Sequence, residues 1–268
     1  MTIRFCSLAS GSSGNCHMLT DEESFLLIDA GLSGKQIQGK LNDVGIDPCR
    51  LSGLLISHEH SDHIQGAGIL SRRFNLPVYA NEGTWEGMEH KLGAIKPENI
   101  RFFKTDCPFE LGRFIVMPYG ISHDANEPVG FSFVNKGVKI SITTDLGHMT
   151  ETIAQAVRDS DLLILEANHD EEMLKAGRYP YPLKRRILSD QGHLSNEAAG
   201  NAIVDLINRN VKTVMLAHLS QENNFPELAL ETIKGILHMN QIVLGKDVSL
   251  DLALRDRVST LYEFKKLG

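Results

Sequence analysis

At 268 residues, 42% hydrophobic and 23% charged, the chain has an ordinary globular composition and is long enough to bury a substantial core. Its net charge of −7 argues against a surface coated for nucleic acid, although a local basic groove is compatible with it, because phosphate binding depends on where the positive charge lies. No apolar run approaches about 18 residues, so no membrane span is expected; the scattered Cys6, Cys16, Cys49 and Cys107 read as reduced thiols of a cytoplasmic protein, and no secretory signal is expected at the N-terminus.

In chain order, residues 3–8 and 25–29 read as strands. Between them, Gly11 and Gly14 among small hydroxyls suit either a phosphate-cradling turn or a plain connection, and the lack of an immediately following helix pattern favours the connection. Residues 33–44 carry Ile37, Leu41 and Val44 at helical spacing, closed by Gly45. The apolar run 54–56 reads as a buried strand leading into His58-Glu59-His60-Ser61-Asp62-His63. Three imidazoles and a carboxylate within six residues would repel once protonated and desolvated, so they need a physical reason, and a divalent metal is the simplest. Alternate residues His58 and His60 can chelate one ion while Asp62 and His63 turn toward a second. Neutral imidazole and carboxylate suit Zn²⁺, with Mn²⁺ or Fe²⁺ at an oxygen-richer site.

Residues 66–74 and 81–92 read as helices flanking a turn and strand at 75–80, with Trp85 and Met88 in the core. Residues 101–119 are strand-like, and His123 lies just beyond their apolar end, where it can complete a three-histidine site with His58 and His60. Strands at 129–134 and 138–144 form a hairpin that ends at Asp145. That carboxylate suits either a cap for the helix-like segment 149–158 or a bridge between two dications, and the bridge is favoured. A buried strand at 162–165 runs into Glu166. The segment 177–186 sets Arg178, Lys184, Arg185 and Arg186 among Tyr179 and Tyr181, which suits either a solvated basic loop or a phosphate-backbone grip with aromatic platforms for bases or sugars, and the grip is favoured. His193, with Ser195 beside it, precedes a helix at 197–210, where free N–H groups attract anions. The strand 213–217 ends at His218, a third ligand for the second ion; a helix at 226–239 and a strand-like segment at 248–254 follow. No repeat or linker interrupts residues 1–268, so one domain is expected.

The H-x-H-x-D-H loop resembles that of the metallo-β-lactamase superfamily, which implies an α/β fold, a four-layer αβ/βα sandwich, over nearly the whole chain. The superfamily pattern maps to His58, His60 and His123 on one ion and Asp62, His63 and His218 on the other, with Asp145 bridging. The segments 8–16, 144–147, 166–169, 192–196 and 217–220 are similar to the YycJ (WalJ) exonuclease group, which implies 5′-to-3′ exonuclease action on double-stranded DNA. Ribonuclease Z is a more distant likeness, whose histidine near the phosphate corresponds to His193 but whose histidine before its Glu-Ala-Thr motif is replaced by Leu165. Zinc β-lactamases of the common kind carry a cysteine where Asp145 stands, and the chain is too short for the insertion of the β-CASP nucleases.

The resemblance implies two divalent ions per chain, Zn²⁺ or Mn²⁺, that acidify a shared water so that hydroxide can attack phosphorus. Asp62 would orient that nucleophile, His193 would stabilise the transition state or protonate the departing oxygen, and Glu166 could orient an imidazole. The expected partner is DNA, with no membrane association, and the sequence names no protein partner. A small-molecule phosphodiesterase or lactonase is the alternative if the basic segment 178–186 points away from the metals. A non-catalytic metal-binding regulator is a third reading, against which the complete ligand set speaks.

Overall fold

Alternate residues of the central strands divide between two apolar layers, and that division builds the architecture. In the computed structural model, which describes residues 2–265, Leu26 and Ile28 face one core while Phe25 and Leu27 face another; Leu162 and Ile164 are likewise separated from Leu163 and Leu165. Strands buried on both faces need such unbroken apolar runs.

The first sheet holds β1 (Ile3–Ala9), β2 (Cys16–Thr20), β3 (Phe25–Ile28), β4 (Gly53–Leu55), β5 (Val78–Ala80) and β6 (Ile100–Phe102), with β14 (Tyr262–Phe264) added beside β1. The second runs in spatial order from β7 (Phe109–Leu111) through β8 (Phe114–Gly120), β9 (Val129–Asn135), β10 (Val138–Thr143), β11 (Leu162–Glu166) and β12 (Thr213–Ala217) to β13 (Ser249–Leu252). Strands β3 to β6 are parallel, as are β10 to β13. Phe5, Leu19 and Leu55 of the first sheet meet Phe114, Phe131 and Ile140 of the second in the core between them.

Helices cover both outer faces. On the first sheet, α1 (Gly34–Asp43), α3 (Ala67–Phe74) and α4 (Glu82–Leu92) bury Ile37, Leu70, Trp85 and Met88. On the second, α5 (Glu151–Val157), α8 (Asn196–Ile207) and α9 (Pro226–Met239) bury Ile153, Ile203 and Ile233. Each such side chain is worth about 1.5–3 kcal/mol of burial. The result is the expected four-layer αβ/βα sandwich.

Several elements differ from the sequence reading. Residues 181–187 form a helix, α7 (Tyr181–Ile187), in a segment to which the sequence reading assigns no helix. Pro182 lies in the helix's first turn, where a missing N–H costs nothing, and Pro180 stands at the cap. The short α2 (Ser61–Ile64) and α6 (Glu171–Ala176) have too few residues to show a period, and β2 and β14 are equally brief.

Candidate metal centre

The donors gather at one rim because the strands that carry them run the same way. Within each sheet ligand-bearing loops leave the C-terminal ends of the strands, the usual place for a site in an α/β sheet. His58 and His60 follow β4, and α2 turns Asp62 and His63 back toward them. His123 follows β8, Asp145 follows β10, Glu166 ends β11 and His218 follows β12 directly.

Two groups of donors lie side by side. In the first, His60 Nδ1 is 3.1 Å from His58 Nε2 and 3.2 Å from His123 Nε2. In the second, His63 Nε2 lies 3.6 Å from Asp62 Oδ2 and 3.2 Å from Asp145 Oδ2, and His218 Nε2 lies 3.4 Å from both Asp62 Oδ2 and Asp145 Oδ1. Asp145 Oδ1 is also 3.9 Å from His123 Nε2, which places this carboxylate between the groups. The structure therefore brings together all seven residues that the sequence nominates.

Their outer partners fix how each ring presents itself. His123 Nδ1 is 3.2 Å from the Gly192 carbonyl, which only accepts, so that nitrogen carries the proton and Nε2 the lone pair. By the same reasoning His63 Nδ1 donates to Asp29 Oδ2 at 2.8 Å, and His218 Nδ1 donates to Glu166 Oε1 at 2.8 Å. Ser57 Oγ donates to Asp29 and is 3.1 Å from His58 Nδ1, so it accepts from that ring.

These constraints test whether metal ions fit. The lone pairs of His58 Nε2 and His123 Nε2 both face His60 Nδ1, whose single proton can satisfy one at most. Asp145 Oδ2 is buried and accepts no hydrogen bond despite its nearness to His63. Burial pushes His58 well below the ordinary imidazole range and His123 below it, favouring the neutral form that a cation needs. Burial alone would raise Asp145, yet His218 and His63 outweigh it and hold the carboxyl well below its usual range. Converging lone pairs and an unpartnered buried carboxylate oxygen fit divalent cations: His58, His60 and His123 would hold one, and Asp62, His63 and His218 a second, with Asp145 between.

Glu166 is fully buried, and its Oε1 is 2.8 Å from Nδ1 of both His193 and His218. Its Oε2 accepts from the backbone N–H of Leu146 and Leu194. Burial would raise this acid; His193 and His218 outweigh it and hold it at about 2. Burial would also lower His193, but Glu166 raises it above the ordinary histidine value. Glu166 thus orients two imidazoles where the sequence suggests one.

A cavity of about 150 Å³ adjoins the cluster, lined among others by Ser12, Asn168, Tyr179, Arg186, His193 and Ser220. It divides the predicted substrate-binding residues. Arg186 stands at this wall and pairs through its Nε and Nη2 with Asp124, the neighbour of His123. Lys184 folds back, its Nζ donating at 2.7 Å to the carbonyls of Lys175 and Gly177. Arg185 lies with Tyr181 on the outer face of α7, and Arg178 is exposed. Ser195 is buried and accepts from Ala198 N at 3.1 Å, so its hydroxyl is committed to capping α8.

The sequence reading misses Asp29 and Asn15. Asn15 holds the metal loop at two points: its N–H donates to Asp62 O at 2.8 Å, and its Nδ2 lies 3.1 Å from His63 Nε2. The connection at residues 10–15 is therefore part of the wall of the centre. Asp29 carries the same signal as Asp145, an aspartate directly after an apolar strand. Gly31 explains why that segment approaches so closely, since a Cβ there would lie 1.7 Å from Asp62 O.

Comparison with known proteins agrees with this geometry. A model of the beta-lactamase superfamily domain matches residues 25–219. Exodeoxyribonuclease YycJ of Bacillus anthracis is 42% identical over 246 residues, covering 92% of this chain and 93% of that protein. Exodeoxyribonuclease WalJ of Streptococcus pneumoniae serotype 2 is 38% identical, covering 97% of each. Among solved structures, the metallo-beta-lactamase fold protein YhfI from Bacillus subtilis superposes with a TM-score of 0.75 over 98% of this chain and 100% of that one, at 16% identity, a likeness of fold.

Proposed function

Because this chain belongs to the beta-lactamase superfamily, and within it to the group of the YycJ and WalJ exodeoxyribonucleases, we propose that it is a metal-dependent exodeoxyribonuclease. The observation that carries the reading is the joint between two features. The donor cluster opens onto a cavity walled by Arg186, Tyr179 and His193, which are a guanidinium, an aromatic ring and an imidazole that Glu166 keeps prone to protonation. We further propose two divalent ions per chain, zinc or manganese, action on duplex DNA from a 5′ end, and work in the reducing cytoplasm, which the free Cys6, Cys16, Cys49 and Cys107 support. Among the described residues no helix is long and apolar enough to cross a membrane.

Divalent ions held by the seven donors would supply an acidified water and neutralise charge on a phosphodiester. The chain's own groups then divide the remaining work. Arg186 offers its guanidinium to a phosphate at the mouth of the cavity, held in place by Asp124. Asp62, partly exposed beside His218 Nε2, is placed to orient the attacking water. His193 commits Nδ1 to Glu166, and its imidazolium would donate from Nε2 to the departing oxygen or to a non-bridging one. Arg186 at the cavity speaks for a phosphodiester and against a lactone, which offers no anion to a guanidinium.

The test uses metal-loaded protein with its ions quantified, incubated with end-labelled DNA duplexes and matching RNA. Stepwise release of nucleotides from the DNA 5′ end, abolished in Asp145→Ala, is the expected result. Two bound ions with neither nucleic acid cut would overturn the nuclease reading.

A further inference from the structure

A second cavity, of about 260 Å³, lies against the loop that follows His218 and is lined among others by Ser10, Leu219, Ser220, Gln221, Phe225 and Arg255. The two cavities share a wall. Ser220 lines both, and the turn at residues 10–12 puts Ser10 in one and Ser12 in the other. This partition belongs to the centre itself, because Ser10 Oγ accepts from the backbone N–H of His218 at 2.9 Å.

Arg255 is held on that wall. Its Nη2 donates to Leu219 O at 3.3 Å, and a Cβ on Gly11 would lie 3.2 Å from its Nε, so the side chain is pressed onto the turn. Its Nε is buried with no partner. A guanidinium beside serine hydroxyls in one lining matches an anion with several acceptor oxygens. Phe225, also in the lining, leaves 46% of its surface exposed, so its ring is open to a stacking partner. The one carboxylate among the lining residues, Asp256, is exposed.

We propose that this cavity is a nucleotide subsite for the substrate strand beyond the scissile linkage, in which Arg255 takes a backbone phosphate and Phe225 stacks a base. The proposal rests on the nuclease reading and deepens it: the strand would be held on both sides of the metals, by Arg186 and Tyr179 on one side and by Arg255 and Phe225 on the other. Stacking and phosphate contacts of this kind predict about tenfold weaker binding when either is lost.

The experiment compares metal-loaded wild-type protein, Arg255→Ala, Phe225→Ala and Phe225→Tyr on DNA duplexes carrying one neutral methylphosphonate at successive linkages from the 5′ end. In the wild type, neutralising one particular linkage should raise KM about tenfold with little change in kcat, and Arg255→Ala should raise KM equally on unmodified DNA. In Arg255→Ala that same methylphosphonate should add nothing further. Phe225→Ala should raise KM and Phe225→Tyr restore it, a pattern that survives even if Arg255→Ala folds poorly. Penalties that multiply at every linkage, or a wild-type KM in Phe225→Ala, would overturn the subsite alone. Wild-type protein that cuts no DNA would overturn the nuclease reading and the subsite together.

Discussion

Replacing Glu166 by glutamine keeps the shape of the side chain and removes its charge, and the structure sets the size of the effect. The carboxylate accepts four bonds, from His193 Nδ1 and His218 Nδ1 on one oxygen and from the N–H of Leu146 and Leu194 on the other. A glutamine has one acceptor oxygen, so its NH₂ must confront two donors whichever way it turns. Two buried donors left unsatisfied cost about 1–3 kcal/mol each, and the backbone pair cannot rotate away. The relaxed solution leaves the amide oxygen on Leu146 and Leu194 and frees the two imidazoles, which then lose their fixed tautomer. Loss of an outer partner of a metal-bound histidine typically costs about 10–100-fold in affinity or activity. Titration of metal-stripped Glu166→Gln with Zn²⁺ or Mn²⁺ should therefore show weakening of one of two binding steps, the one that includes His218, and kcat/KM on DNA should fall at least as far, because His193 loses the same partner. The His58–His60–His123 step should be nearly unchanged, because none of its outer partners is Glu166. Equal weakening of both steps, or unchanged affinity with lost stability alone, would refute the assignment of Glu166 as the group that positions His218.

Gly31→Ala should cost about 3 kcal/mol or more, because its Cβ would require Asp62 O and Asn15 N to retreat, and urea denaturation with metal quantification should show both a lower midpoint and a depleted second ion. A chelator should lower Tm by about 5–10 °C, the equivalent of roughly 2.7 kcal/mol for a ligand present at a hundred times its Kd, and excess Zn²⁺ or Mn²⁺ should restore it; an unchanged Tm would mean that no ion binds the folded state. His169 is buried with neither ring nitrogen partnered, and burial lowers its pKa to about 4. The unfolded chain therefore binds a proton between pH 6.5 and 4 that the folded chain does not, so stability is full above this window and falls as pH drops through it, by up to about 1.4 kcal/mol per unit. Metal-stripped His169→Phe should show a shallower fall over that window than the wild type, and equal slopes would refute the reading.

How far the centre was legible in the sequence depended on whether a residue's task was local. His123, Asp145 and His218 share one signature, a His or Asp where an apolar strand stops, and the loop of His58 to His63 concentrates four donors in six residues. Glu166 carried the signature too, but its second imidazole is reached only in the folded chain, at His193 across 27 residues and His218 across 52. Asp29 looks in sequence like no more than the end of a strand, because its partner His63 lies 34 residues on. The loop at residues 10–15 looked like a simple connection for the same reason. The basic segment concealed a helix because its prolines sit where a helix tolerates them, and only the helix separates Arg186 from Arg185.

Backbone strain distinguishes these positions from ordinary strand ends. Asp29, Asp145 and His218 all take a left-handed conformation, with φ of 58°, 58° and 56°. For a residue with a Cβ this costs about 1 kcal/mol or more, and Asp, Asn and His meet the cost better than most. Glycine would relax the backbone at each place but would delete a carboxylate or an imidazole from the centre. The three residues stand at corresponding points, each directly after or one residue beyond a strand, so the left-handed turn serves one geometric purpose: it reverses the chain sharply enough to aim the side chain back over the strand end. Strain is concentrated at two donors and at the partner of a third, whereas Glu166, still within its strand, reaches His193 and His218 without it, so the left-handed turn belongs to the shorter side chains that stand just past a strand end.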